Sequence, residues 1–369
     1  MENESRYPPH MRPWGTLKPP LPGQPRSSAG SPPPLPPRRP ATKRSPVVHI
    51  LLFLATLLTT SAAGALQQGA SLLDDPASIA TGLPFSLTLL LILFCHEMGH
   101  YLCARWHGIE TTLPYFIPGP PILVGTFGAF IRMKGTPRNR AALFDVGAAG
   151  PWAGMVVALP AVAIGLSWSE IHPLEFGAGA AFSLGSSVLF DFLGRLILGV
   201  DPDQVTIVLH PVAIAGWFGF FVTFLNLLPV GQLDGGHVSY AWLGKRHRLV
   251  SRGFLILLLL LWALPGGWDG WLLWALLLFF VLRVDHPDTA DRDTPLDPGR
   301  RAAAWATAAV FFATFMPVPF ELNEMPSNQP APRIERHHRP PPHSPRHNGL
   351  LEARVPMDDG PTETLSLPL

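Results

Sequence analysis

The sequence predicts an all-α polytopic membrane protein of about six to seven transmembrane helices, one of them interrupted by a break. Three observations carry this reading. Only 14% of the 369 residues are charged, where about 25% is usual for soluble domains. Hydrophobic residues make up 47% and gather into long apolar runs. Basic residues concentrate in alternate connections, as a chain crossing back and forth requires. The net charge of +1 comes with no basic stripe, so nucleic acid is not an expected partner.

Residues 1–46 are proline-rich (SPPPLPPRRP) and poor in clustered apolar residues, so they are expected to be disordered or polyproline-like. Arg38, Arg39, Lys43 and Arg44 place this tail on the cytoplasmic side. No cleavable signal peptide is apparent, since apolar sequence starts near Val47. Residues 47–320 form the expected membrane domain. Its first span is Val47–Leu66, running outwards, and a second helix returns from Leu83 to Trp106. Basic residues between Ala104 and Arg140 mark an inner connection. Within it, Ile122–Met133 is apolar but too short to span, and reads equally as a cytosolic β-hairpin or a re-entrant loop.

A third span, Ala141–Leu166, carries Gly147, Gly150 and Gly154 near one-turn spacing, which allows close helix approach. Ser183–Val200 reads as an interfacial amphipathic helix. Val205–Leu228 reads as the fourth span, ending at Pro229, with Gly231, Gly235 and Gly236 supplying a turn. Gly253–Leu264 and Trp268–Val284 suggest a helical hairpin, and Ala302–Phe320 a last apolar run. Residues 321–369, rich in Pro and His, are expected to be disordered. Cys95 and Cys103 lie on one helix, too far apart to bridge, and read as small core residues.

The chemistry sits in His96-Glu97-Met98-Gly99-His100, at the end of the uncharged run LPFSLTLLLILF. Polar groups at membrane depth are costly unless paired or bound to something. Positions i and i+4 share a helix face, so His96 and His100 can grip one zinc ion with Glu97 beside the open position. A catalytic zinc takes a third protein ligand. Asp234, in the helix break, is the best candidate, because the spans holding HEMGH and NLLP both run inwards and end at similar depth. His237 is an alternative ligand, more simply read as the start of the next helix.

Taken in order, HEMGHYLCARWHGI, GTFGAFIRM, FDVGAAGPWAG and NLLPVGQLDGGH resemble the site-2 protease family of intramembrane zinc metalloproteases. The likeness covers about 83–247, most of the membrane core. It implies Zn2+ held by His96, His100 and Asp234, with Glu97 catalytic and Asn226 assisting at the substrate or oxyanion. It favours the re-entrant reading of Ile122–Met133, with a strand edge open to substrate. It also implies a transmembrane protein substrate, in particular a membrane-bound regulatory protein. The expected setting is the lipid bilayer of a bacterial plasma (inner) membrane. No PDZ-like segment separates the third and fourth spans, unlike many members. Two rivals stand beside this reading. A membrane zinc peptidase of another class would take a Glu as third ligand, and no suitable Glu follows. A non-catalytic metal-binding scaffold or transporter would need ligands but no base, so Glu97 argues against it.

Overall fold

The computed structural model describes residues 46–322, apart from 136, 174–181, 201–204, 281–285, 287–288, 290 and 292–293. The tails expected at 1–46 and 321–369 lie outside the described residues, except for Pro46 and a short strand that ends at Leu322. The described protein is mostly helical. Among the described residues, three stretches are long and apolar enough to cross a membrane: Val47–Gln67, the run ending at Trp106, and Arg140–Ser167.

Helix α1 (Val47–Gln67) leads through a short 3-10 turn at Pro76–Gly82 into α2 (Leu83–Trp106). The two meet where side chains are absent. A Cβ on Gly82 would lie 1.9 Å from the Ser61 carbonyl oxygen, and one on Gly64 would lie 2.8 Å from the Gly82 oxygen. Thr60 and Ser86 hydrogen-bond each other inside this contact, which satisfies two hydroxyls buried in an apolar region.

After α2 the chain makes β1 (Glu110–Thr111), β2 (Tyr115–Pro118), β3 (Thr126–Phe130) and β4 (Met133–Lys134). β2 and β3 form an antiparallel hairpin, while β4 pairs with β1. The apolar stretch Ile122–Met133 is therefore only the tip and second arm of the hairpin. Its first arm, Tyr115–Pro118, was hidden by the prolines around it. The hairpin lies along α1. His49 Nδ1 donates to the Pro114 carbonyl at 3.0 Å, Phe53 meets Phe116 edge-on, and Thr59 Oγ1 donates to the Gly125 carbonyl at 2.6 Å. Those contacts span about 15 Å of helix axis.

Helix α3 (Arg140–Ser167), capped by Asn139, runs unbroken through Pro151 and Pro160. Next come β5 (Glu170–Pro173), β6 (Phe182–Leu184), α4 (Val188–Leu198) and β7 (Val205–Val208). α4 starts later than expected because Phe182–Leu184 is strand. The fourth span is also corrected. Its β-branched start, Val205–Val208, pairs with β5, and α5 covers only Pro211–Asn226, with His210 as cap and Pro211 at its first position. At 16 residues it falls below the roughly 20 needed to span alone.

α5 is nevertheless the centre of the bundle, with Trp217, Phe220 and Phe224 fully buried. Close packing holds the helices around it. Small residues provide it: a Cβ on Gly165 would strike Ala213, and one on Gly216 would strike Val162.

The break after Asn226 ends at α6 (Asp234–Leu243). Gly231 has φ +57°, as a turn requires. Gly235 and Gly236 instead belong to the first turn of α6, where a Cβ would lie 1.9 Å from the Leu227 oxygen and 2.3 Å from the Gly231 oxygen respectively. α7 (His247–Ala263), α8 (Gly270–Phe280), α9 (Pro298–Thr314) and β8 (Phe320–Leu322) complete the described chain. α9 begins before the expected Ala302 because Asp297 caps it and Pro298 fits its first turn.

We call the end where α2 finishes and α3 begins the near end, and the opposite one the far end. β8 pairs with β6 at the far end, and Phe320 packs against Trp217 and Phe221. Cys95 and Cys103 are free and half-buried.

Gly82→Ala is expected to cost about 1–3 kcal/mol by overpacking against backbone. This would be read as a lower thermal unfolding midpoint in detergent. Gly253→Ala, with nothing within 4 Å of the added methyl, is expected to hold its midpoint or gain up to about 1 kcal/mol.

Candidate metal centre

α2 is helical across HEMGH, so His96 and His100 project from one face. Both are buried, as is Glu97. Asp234 enters from the first position of α6. Three atoms then form a nearly equilateral triangle. His96 Nε2 to His100 Nε2, His96 Nε2 to Asp234 Oδ2, and His100 Nε2 to Asp234 Oδ2 each measure 3.2 Å. A tetrahedral zinc with bonds of about 2.0–2.1 Å holds its donors about 3.3 Å apart. The donor set, two imidazoles and a carboxylate, is also zinc's own. The residues therefore fit the ion, and no other such group of His, Cys, Asp or Glu occurs among the described residues.

His100 is fixed for this task by a backbone group. Its Nδ1 lies 2.8 Å from the Val146 carbonyl oxygen. A carbonyl can only accept, so Nδ1 carries the proton and Nε2 presents its lone pair to the metal.

The rings find room because α3 has no side chains where they lie. A Cβ on Gly150 would sit 2.1 Å from His100 Nε2, and one on Gly154 would sit 3.2 Å from His96 Nδ1. A Cβ on Gly147 would meet the His237 Cβ at 2.7 Å and the Asp234 backbone oxygen at 3.2 Å. The glycine spacing, read in the sequence as helix contact, is thus also the seat of the metal ligands.

α6 is held at its C-terminal end by Arg140, read from sequence only as an inner-loop charge. Arg140 is buried, donating from Nε to the Ala241 carbonyl and from Nη2 to the Trp242 carbonyl, each at 2.8 Å. These are terminal carbonyls of α6 that would otherwise lack partners.

Asn226, the last residue of α5, places its amide Nδ2 3.4 Å from His96 Nε2. His237 does not join the three donors. It lies within α6, and its Nδ1 is 2.7 Å from His286 Nε2. Ile131, in the chain leaving β3, presents its backbone to the Glu97 carboxylate, which brings that segment to the site. A cleft of about 320 Å³ opens there between Phe130, Ile131, Gln232, His237, His286 and Thr289. Sequence offered no signal for His286, since it stands more than 50 residues beyond Asp234 in a charged connection.

Residues 84–261 match the model described as peptidase family M50. Probable zinc metalloprotease EGY1, chloroplastic, of Arabidopsis thaliana is 31% identical over 249 residues, which cover 67% of this chain and 45% of that protein. Probable zinc metalloprotease EGY2, chloroplastic, of the same plant is 32% identical, with 67% and 44% covered. Probable zinc metalloprotease EGY3, chloroplastic, of Oryza sativa subsp. japonica is 27% identical, with 75% and 49% covered. The chain spans about half the length of the curated relatives it matches.

Gly150→Ala is expected to displace the His100 ring and weaken zinc binding by at least about 10–100-fold, the scale for losing an outer-shell partner. Competition with a fluorescent chelator on the purified protein measures it.

Proposed function

The membrane core of this chain, residues 84–261, belongs to peptidase family M50, and on that premise we propose that the protein is a zinc-dependent intramembrane endopeptidase. The observation that carries this is the triangle of His96, His100 and Asp234 with Glu97 buried beside it. Held there, zinc would supply a Lewis acid that acidifies a water and polarises the scissile carbonyl. Glu97 takes the proton of the attacking water and passes it to the leaving amine. Asn226, next to His96, donates to the oxyanion as it develops.

Substrate is a transmembrane segment of a membrane-bound regulatory protein, cut in or near the bilayer. Its amides are hydrogen-bonded internally until it unwinds. The hairpin of β2 and β3 is read as re-entrant, lying at membrane depth beside α1 and offering a strand edge to the unwound segment. That placement is supported by the contacts from His49 to Thr59 and by Ile131 at Glu97. Water reaches Glu97 through the cleft lined by His237 and His286 at the near end.

In this reading α1, α2, α3, α5, α7, α8 and α9 cross in alternating directions, the last four being shorter or more tilted in their passage. The near end faces the cytoplasm of a bacterial plasma membrane, together with the Pro-rich tail at 1–46, because the basic connections lie there. Pairing of β6 with β8 at the far end supports the same alternation.

The test uses purified protein and a single-pass reporter substrate. Glu97→Gln should keep its zinc and lose about 10²–10⁴ of the cleavage rate. Asn226→Ala should lose about 10²–10³ in kcat with zinc retained. Wild-type protein that binds zinc and never cleaves would instead favour a metal-binding scaffold.

A further inference from the structure

At the near end, away from the metal donors, α2, α3 and α9 enclose a second cavity, of about 400 Å³. The chemistry above makes no use of it. Its wall includes Arg138, Arg300 and His107, and no carboxylate lines it.

These groups are not equivalent. Arg300 donates from Nε and Nη2 to Asp145, at 2.7 and 2.6 Å, and from Nη1 to Asp297. A guanidinium has five N–H groups, so two remain. His107 Nε2 donates to the same Asp145 at 2.9 Å, which turns the ring's other edge away from that carboxylate. Arg138 is exposed, and its side chain has no ion-pair partner among the described residues. Among the described residues, the cavity therefore offers one guanidinium with no ion-pair partner, that of Arg138, and two further N–H donors on a second guanidinium that Asp145 holds in place.

The cavity also sits at a particular depth. Trp106 lines it at the last residue of α2, and is 77% exposed. It stands about 9 Å along the helix axis beyond His100. A bare indole at the end of a spanning helix belongs at the level of lipid headgroups. One turn back on the same face, Leu102 is 60% exposed. Cationic donors thus adjoin an apolar stripe that runs down towards the bilayer core.

We propose that this cavity binds the phosphate of an anionic lipid headgroup. Arg138 supplies the charge, the free N–H groups of Arg300 supply directed donors, and the acyl chains lie along Trp106 and Leu102. Arg300 sits at the start of α9, and His107 just past α2, so the headgroup would tie α9 to the family core at 84–261. This site needs no proteolysis and stands independently of it.

The test takes the full-length protein in detergent and adds phosphatidylglycerol, phosphatidylcholine or inorganic phosphate. Thermal unfolding and native mass spectrometry are the readouts. Phosphatidylglycerol should raise the midpoint a few degrees more than phosphatidylcholine and remain as a bound adduct. Arg138→Gln should keep the wild-type midpoint in detergent alone and lose that preference. Arg248→Gln, an exposed cation elsewhere at the near end, should keep the preference, which separates a site from bulk attraction. Equal effects of the two lipids, or an unchanged preference in Arg138→Gln, would overturn the proposal. Inorganic phosphate reproducing the full shift at equal concentration would overturn the lipid assignment in favour of a soluble anion.

Discussion

The centre of this molecule depends on missing side chains along one face of α3. Two imidazoles cannot lie between tightly packed helices unless something is removed to admit them. Gly150 and Gly154 leave that space, and the His100 and His96 rings fill it. Gly147 continues the stripe and lets α6 approach, which brings Asp234 to the other two donors. The same helix then orients what it admits, because the Val146 carbonyl selects the His100 tautomer. α3 contributes no donor to the metal, yet it determines where each donor stands.

Much of this was legible in the sequence, and for identifiable reasons. α1, α2 and α3 are long and nearly free of charge, so hydropathy alone finds them. The i, i+4 histidines announce their shared face, and the Pro-Gly break announces an irregular backbone that had to serve a purpose. What stayed hidden depends on distant partners. Val205–Val208 is apolar enough to join a span, but β5 lies nearby to pair with it. Tyr115–Pro118 holds three good strand formers, but the prolines that bracket it make it read as loop. Arg140 follows the rule for inner loops in sequence and breaks it in space, where it is buried against the end of α6. His286 could be placed only by folding the chain.

The segments beyond the family core are not loose additions. α9 is anchored at its start by Arg300 to Asp145 on α3. Beyond its end, Pro317 accepts from the Trp271 indole at 2.7 Å and β8 pairs with β6. The core and its extension are therefore joined at both ends, by charge at one and by aromatic packing and backbone pairing at the other.

That far-end join bears on how the protein is made. Every donor to the metal has left the ribosome once α6 is synthesised, but the aromatic box around Trp217 lacks Phe320 until α9 has been threaded through and β8 reaches β6. During that interval Trp217 and Phe221 lack the ring that packs on them in the finished fold. The metal half of the protein can assemble early, whereas its lateral closure waits for the last described strand. Translation order thus separates assembly of the three metal donors from the arrival of Phe320 against Trp217 and Phe221, and a chain cut short before Phe320 would carry the first without the second.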